Sequence, residues 1–348
     1  MNALTDSRTR RTTVVAPPPM PSGWFVVARA RDLRPGSQTT IRRFGTELVL
    51  FRTATGRLAL VEATCPHLGA HLGHGGKVVG EHLECPFHGF RFQTDGRCAS
   101  GGRDTPAPRG ARLGSLPLAE REGLVFAWHG AAGEGPTYDL PDLGLADGPR
   151  VRLRRAVVDA HPQDTTENSV DLAHFAYVHG YDEVRVVEPL RREGEVLTIA
   201  YAATRPTGPF GTPISFTYRV RVTGLGVSQV HVEVDGLATS DLLVLASPVD
   251  TGRSEVWLGA RVQLARRALP IPGLRTLVDE LASSIMASIL LNDVHQDARI
   301  WSHKRWVHPP RLSAADGPIG PYRAWAGRFY PTPDDGQVAS CAEVTPCR

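Results

Sequence analysis

The sequence predicts an α+β protein of two domains behind a short N-terminal arm: a small all-β domain, then an antiparallel sheet covered by a long helix near the C-terminus. Three observations predict this. Short β-branched and aromatic runs between glycine turns fill residues 22–130. Longer, strictly alternating runs come later, and one helical pattern then occupies residues 276–304. A chain of 348 residues with 41% hydrophobic content is long enough to build two cores.

Residues 1–21 are polar and then proline-rich, which predicts a disordered arm with order beginning at Trp24. From there WFVVARA, ELVLFRT, LALVEA and GLVFAWHG read as strands. AAGEGP, residues 131–136, reads as a linker, so the second domain spans 131–348. In QVHVEVDG, Val230, Val232 and Val234 share one face while His231, Glu233 and Asp235 share the other, the mark of a strand with one buried face. After LPIPG, a helix is expected from about Thr276 to Lys304. Leu277, Leu281, Ile285 and Ile289 repeat along it every fourth residue, a stripe expected to lie across the sheet.

Charge excludes some partners. With 39 basic and 36 acidic residues the net charge is +3, too small a field to direct the chain to nucleic acid. Lys77 and Lys304 are the only lysines in an Ala-, Gly- and Pro-rich chain, a bias that fits genome composition better than an arginine-clasped ligand. Five cysteines, an odd number without a secretory segment, argue against a disulfide scaffold and for the reducing cytoplasm. Arg10 and Arg11 are followed only by a brief VVA before prolines, which is no export core. No window reaches the ~18 consecutive apolar residues of a membrane span.

Two constellations carry chemistry. Cys65-x-His67 and Cys85-x-x-His88 offer two thiolates and two imidazoles from loops seventeen residues apart. Ligand identity alone leaves zinc and a [2Fe-2S] cluster with mixed ligands both open. The surroundings favour the cluster, because Pro66, Pro86 and Gly89 make tight turns and HLECPFHGFRFQTDG reads strand, turn, strand, where a zinc finger of this ligand class uses a helix.

The second constellation is ENSVDLAHFAYVHG, residues 167–180, with Asp171, His174 and His179. Asp171 and His174 share a helical face, but five residues at about 100° each turn His179 about 140° away. His179 must therefore leave the helix, and Gly180 supplies the stop. Two histidines and a carboxylate form a triad suited to non-haem Fe(II). Asp293 and Asp297, four apart in LLNDVHQDARIWSHK, are both placed to complete it, and helical geometry does not choose between them.

CPHLGAHL followed by CPFHGFRFQTDGRC resembles the Rieske signature, and the whole stretch from about Trp24 to about Tyr330 resembles the Rieske non-haem iron oxygenases. The resemblance implies an N-terminal all-β Rieske domain and a C-terminal helix-grip (START-like) domain. It implies that Cys65, His67, Cys85 and His88 hold the [2Fe-2S] cluster. Ala70 and Phe87 stand where respiratory-chain Rieske proteins have a disulfide, which favours the oxygenase and ferredoxin branches. His71, His74 and His82 are expected to be loop residues and Cys98 a small buried residue or spare thiol.

The resemblance also chooses Asp297, which precedes an Ile300-Trp301 pair, as the third ligand of mononuclear Fe(II) beside His174 and His179. It assigns Asp171 as the bridge between His174 of one subunit and the cluster histidine His88 of its neighbour, with the Asp171 carboxylate accepting the imidazole N–H, and so implies a head-to-tail trimer. Asn168 is expected near the iron. O2 is implied as co-substrate, with NAD(P)H electrons arriving through a separate reductase or ferredoxin, since no dinucleotide fingerprint appears. VTGLG, ASPVD, QDARIW and DGPIGPYRAWAGRFYP resemble the branch of 3-ketosteroid 9α-hydroxylase oxygenase components and sterol 7-desaturases. That branch implies a bulky, apolar, polycyclic substrate, steroid-like or a natural product, undergoing C–H hydroxylation, desaturation or oxidative cyclisation. The competing readings are a non-catalytic Rieske electron carrier and a zinc-stabilised lipid-binding module.

Overall fold

Glycine turns break the first half of the chain into short strands whose apolar residues meet in common cores. The computed structural model describes residues 11–130, 134–145, 150–205, 211–234, 236–265 and 271–331. Linker residues 131–133 and Asp235 lie outside the described residues. Strands β1 (Thr13–Val14), β2 (Gly23–Arg29), β3 (Ser37–Arg43), β4 (Thr46–Arg52) and β5 (Leu58–Glu62) come first. They are followed by β6 (Lys77–Val79), β7 (His82–Glu84), β8 (Arg91–Phe92), β9 (Cys98–Ser100), β10 (Ser115–Leu116), β11 (Leu118–Arg121) and β12 (Leu124–His129). Apart from β1, they form three sheets, ordered β10-β5-β4-β3, β11-β12-β2 and β6-β7-β8-β9. Phe25, Leu48, Leu50 and Leu60 are wholly buried in this half.

The second half comprises β13 (Arg152–Val158), α1 (Pro162–Glu167), α2 (Leu172–Tyr177) and then β14 (Asp182–Glu193), β15 (Val196–Arg205), β16 (Ile214–Thr223), β17 (Val227–Val234), β18 (Ala238–Asp250) and β19 (Arg253–Leu264). A long α3 (Pro272–Trp301), β20 (Val307–His308) and α4 (Ile319–Ala326) complete it. The long strands pair antiparallel in one seven-stranded sheet, ordered β13-β19-β18-β17-β16-β15-β14, with α3 across β19 and β13. This is the α+β architecture expected, one helix gripping one sheet.

Two expectations fail here. The arm expected to be disordered is seated from Thr12 onward: β1 pairs with β20, and the carbonyls of Pro19 and Pro21 lie 3.2 and 2.8 Å from ring nitrogens of His161 and His129. These carbonyls lie outside any helix or strand ladder, and the two histidine rings supply their partners. Residues 1–10 of the arm lie outside the described residues.

The stripe of α3 expected to face the sheet instead faces outward, with Leu277, Leu281 and Ile285 exposed by 66%, 60% and 53%. The buried face is Asp279, Ser283, Ala287 and Val294. The cause lies in β19, whose pairing with β13 ends at Ala260. Beyond it the amides of Val262 and Leu264 have no strand partner on that side among the described residues and donate to the Ser283 hydroxyl and the Asp279 carboxylate, at 2.9 and 2.8 Å. Buried amides need acceptors more than the sheet needs another leucine.

The two halves share a seam. Trp24, Trp128 and Phe126 pack with Leu243, Leu245 and Trp257. Arg43 pairs with Glu255, and the amides of Phe44 and Gly45 donate to the carbonyls of Pro248 and Val249. The VTGLG turn closes the same seam, because a side chain at Gly226 would put its Cβ 2.2 Å from the Trp24 carbonyl oxygen. VTGLG and ASPVD thus serve the joint between the halves.

Candidate functional site

The two cysteine loops fold alike. Each cysteine amide donates to the carbonyl five residues on, Cys65 to Ala70 and Cys85 to Phe90, both at 2.8 Å. Each glycine four residues on returns its amide to the cysteine carbonyl, Gly69 at 3.0 Å and Gly89 at 3.1 Å. Both glycines are left-handed, φ 77° and 73°, where a side chain would be strained. Cys65 and Cys85 are buried, while His67 and His88 stand exposed at the tip with ring centroids 4.7 Å apart. Burial pushes the Cys65 thiol up to about 11, so at neutral pH it keeps its proton unless a metal cation displaces it.

Around the second site, Asp171 caps α2, its carboxylate accepting the His174 amide at 3.3 Å. The sequence placed the Asp171 carboxylate on the His174 ring. The ring Nδ1 instead meets the Asp171 backbone carbonyl at 2.5 Å, because the carboxylate is occupied with the helix end. Either way the imidazole is oriented, and its Nε2 is left for a metal. After Tyr177 the helix stops, as expected: Gly180 is left-handed at φ 68°, and the amides of Gly180 and Tyr181 return to Ala176 and Phe175.

His179 thereby turns back toward α3. Its Nδ1 lies 3.0 Å from the Gln296 side-chain oxygen and its Nε2 3.4 Å from Asp297. The other Asp297 oxygen accepts from the Asn168 amide at 3.0 Å. One ligand atom from each of His174, His179 and Asp297 lies within 4.8 Å of the others. Asp293 stands off, 4.0 Å from the far side of His179. Gln296, which orients His179, was missed in the sequence, where only its place beside Asp297 could have flagged it.

Electrostatics suit a metal. Burial lowers the His174 pKa, which keeps the imidazole neutral and ready to bind. Burial also opposes a charge on His179, but the hydrogen bond and charge of Asp297 outweigh it and the net shift is upward. The same Asp297 charge that favours a proton on His179 favours a metal cation beside it. Among the described residues three such ligand atoms gather this closely only here.

The valine face of β17 lines a cavity between sheet and α3. It measures about 290 Å³, is walled by Val230, Val232, Leu242 and Met286, and is bordered by Phe175, Tyr201 and Tyr218. His174, His179 and Asp297 open into it. An outer groove of about 570 Å³ adjoins it at His179 and Asp293.

Comparison with known proteins agrees with this geometry. Residues 23–115 match the Rieske [2Fe-2S] domain family, and residues 127–330, more than half of the chain, match the 3-ketosteroid 9alpha-hydroxylase C-terminal domain family. The chain is a Rieske non-haem iron oxygenase component. The oxygenase is 29% identical over 329 residues to a cholesterol 7-desaturase of Bombyx mori, covering 92% of this chain and 72% of that protein. It is 27% identical over 321 residues to the oxygenase component of a 3-ketosteroid-9-alpha-monooxygenase of Rhodococcus rhodochrous, covering 88% and 83%. Its fold matches that of dicamba monooxygenase crystallised with non-heme iron and dicamba, at TM-score 0.61 and 18% identity over 88% and 96% of the chains. The electron-carrier and zinc-module readings leave the His174, His179 and Asp297 group without a purpose. No described helix is long and apolar enough to cross a membrane.

Proposed function

We propose that this oxygenase is the terminal component that oxidises a bulky, apolar, steroid-like or polycyclic substrate at a C–H bond, by hydroxylation, desaturation or oxidative cyclisation. The observation that carries the reading is an apolar cavity opening onto two histidines and an aspartate. The 7-desaturase and 9α-hydroxylase activities named for the relatives support the substrate class. Cys65, His67, Cys85 and His88 would hold the cluster in a domain spanning 22–130, and His174, His179 and Asp297 the Fe(II) in a domain spanning 131–348. Bound there, the two centres would supply one-electron transfer and O2 activation, with electrons drawn from NAD(P)H through a separate reductase or ferredoxin.

The chain's own residues do the positioning. Gln296 and the Asp171 carbonyl hold the Nδ1 protons of His179 and His174, and Asn168 holds one Asp297 oxygen. Apolar walls exclude water and set which carbon lies nearest the three ligands. Asp171 keeps one carboxylate oxygen free of the His174 amide, available to His88 of a neighbouring subunit in a head-to-tail trimer. Exposed Leu68 and Phe87 at the cluster tip, and Tyr177 at the far end of the helix that Asp171 caps, are apolar surface that such an assembly would cover.

Accurate product mass tests this, after incubation with NADH, a surrogate reductase, O2 and a panel of 3-ketosteroids and sterols. One added oxygen or two lost hydrogens supports the reading. Asp297→Ala should abolish turnover and the mononuclear iron while keeping the cluster spectrum, and Asp293→Asn should keep both. The reverse pattern would overturn the assignment of the third ligand.

A further inference from the structure

Arg205 ends β15 and borders both the inner cavity and the outer groove, so its side chain stands at the passage between them. Its guanidinium lies over the Tyr181 ring, 5.4 Å from the centroid. The Tyr218 hydroxyl donates to the Tyr181 hydroxyl at 3.1 Å, which leaves the Tyr181 proton free to donate in turn. An apolar substrate needs none of this. Among the described residues no carboxylate comes within ion-pair distance of Arg205, and Asp293 feels its charge from α3 without reaching it. Arg154 borders the same outer groove, so two arginines face one aspartate there, an excess of one positive charge. Five guanidinium N–H donors in a planar fork match a carboxylate, an acceptor-only group with two oxygens, better than they match a lone carbonyl.

We infer that Arg205, with the Tyr181 hydroxyl beside it, anchors a carboxylate at one end of the substrate and so admits the molecule apolar end first toward His174, His179 and Asp297. The inference rests on the proposed function for the apolar end and adds the chemistry of the other. Arg205 is a specificity residue: it touches the end of the substrate remote from the reacting carbon.

Binding to the holoenzyme tests it by calorimetry with two matched pairs of probes. One pair is a 3-ketosteroid with a side-chain carboxylate and its methyl ester; the other is pyrenebutyrate and its methyl ester. The acid of a pair should bind about tenfold tighter than the ester. Arg205→Met should abolish that preference and Arg205→Lys should retain part of it, each with an unchanged cluster spectrum. Equal binding of acid and ester to the wild type, or a preference that survives Arg205→Met, overturns the anchor. Failure of both steroids with an Arg205-dependent preference for pyrenebutyrate keeps the anchor and overturns the steroid reading. Failure of all four probes overturns both.

Discussion

Glu167 immediately precedes Asn168 in the chain, and its replacement by glutamine should weaken the whole floor of the iron site. The carboxylate is buried, 5% exposed, and accepts two hydrogen bonds from Arg323 of α4, both at 2.7 Å. Lys304 stands 3.5 Å away and also meets Asp164 at 2.9 Å. Glutamine keeps the shape but removes the charge and turns one acceptor into a donor facing Arg323. Losing one partner of a buried ion pair costs ~3–5 kcal/mol. The amide oxygen can still accept one of the two bonds, returning ~1 kcal/mol. A net loss of about 3 kcal/mol corresponds to a Tm lower by about 6–12 °C in a domain of this size.

The same pair sets a pH dependence. Burial raises the Glu167 pKa, but the Arg323 hydrogen bonds and the Lys304 charge outweigh it, and the net shift is downward. A depressed folded pKa contributes stability above the unfolded value of ~4.3 and loses it as pH falls through the folded value. The gap between wild type and Glu167→Gln should therefore be constant from about pH 8 to 5 and begin to close near pH 4. Thermal unfolding followed by tryptophan fluorescence across that range reads it. A Tm change under about 2 °C at pH 7 would refute the argument that Glu167 holds α1 to α4.

Other substitutions probe the site and the seam. Asn168→Ala frees one oxygen of Asp297 and should weaken iron binding ~10–100-fold in a chelator competition, with the cluster spectrum unchanged; equal affinity would show that the Asn168 contact does not orient the ligand. Gly226→Ala drives a methyl group against the Trp24 carbonyl at 2.2 Å and should cost ~1–3 kcal/mol. Gly252→Ala, with open space around it, should stay within ~0.5 kcal/mol in the same unfolding experiment, and similar losses in both would refute the seam argument.

Local rules made much of this legible. The tight turns after Cys65 and Cys85 follow from Pro66, Pro86 and Gly89, and the stop at Gly180 follows from a glycine in a left-handed position. The outward stripe of α3 was misread because periodicity reports that a helix has an apolar face and not which face the sheet requires. There the unpartnered amides of Val262 and Leu264 decided, and they took Ser283 and Asp279. The seated arm was missed because nothing within residues 12–21 identifies β20 and the histidines that receive it.

What the sequence determined by itself was the inventory of donors and their local presentation. Cys65, His67, Cys85 and His88 lie on two short loops, and His174 and His179 at the end of one helix, where spacing and backbone stereochemistry govern. What only the tertiary structure decided was which distant groups meet them. Asn168 and His179 converge on Asp297 and leave Asp293 outside, Gln296 orients His179, and Arg205 stands at the mouth of the cavity. Those choices depend on the register of α3 against the sheet, and that register answers to the hydrogen-bonding demand of β19, which the spacing of apolar residues does not report.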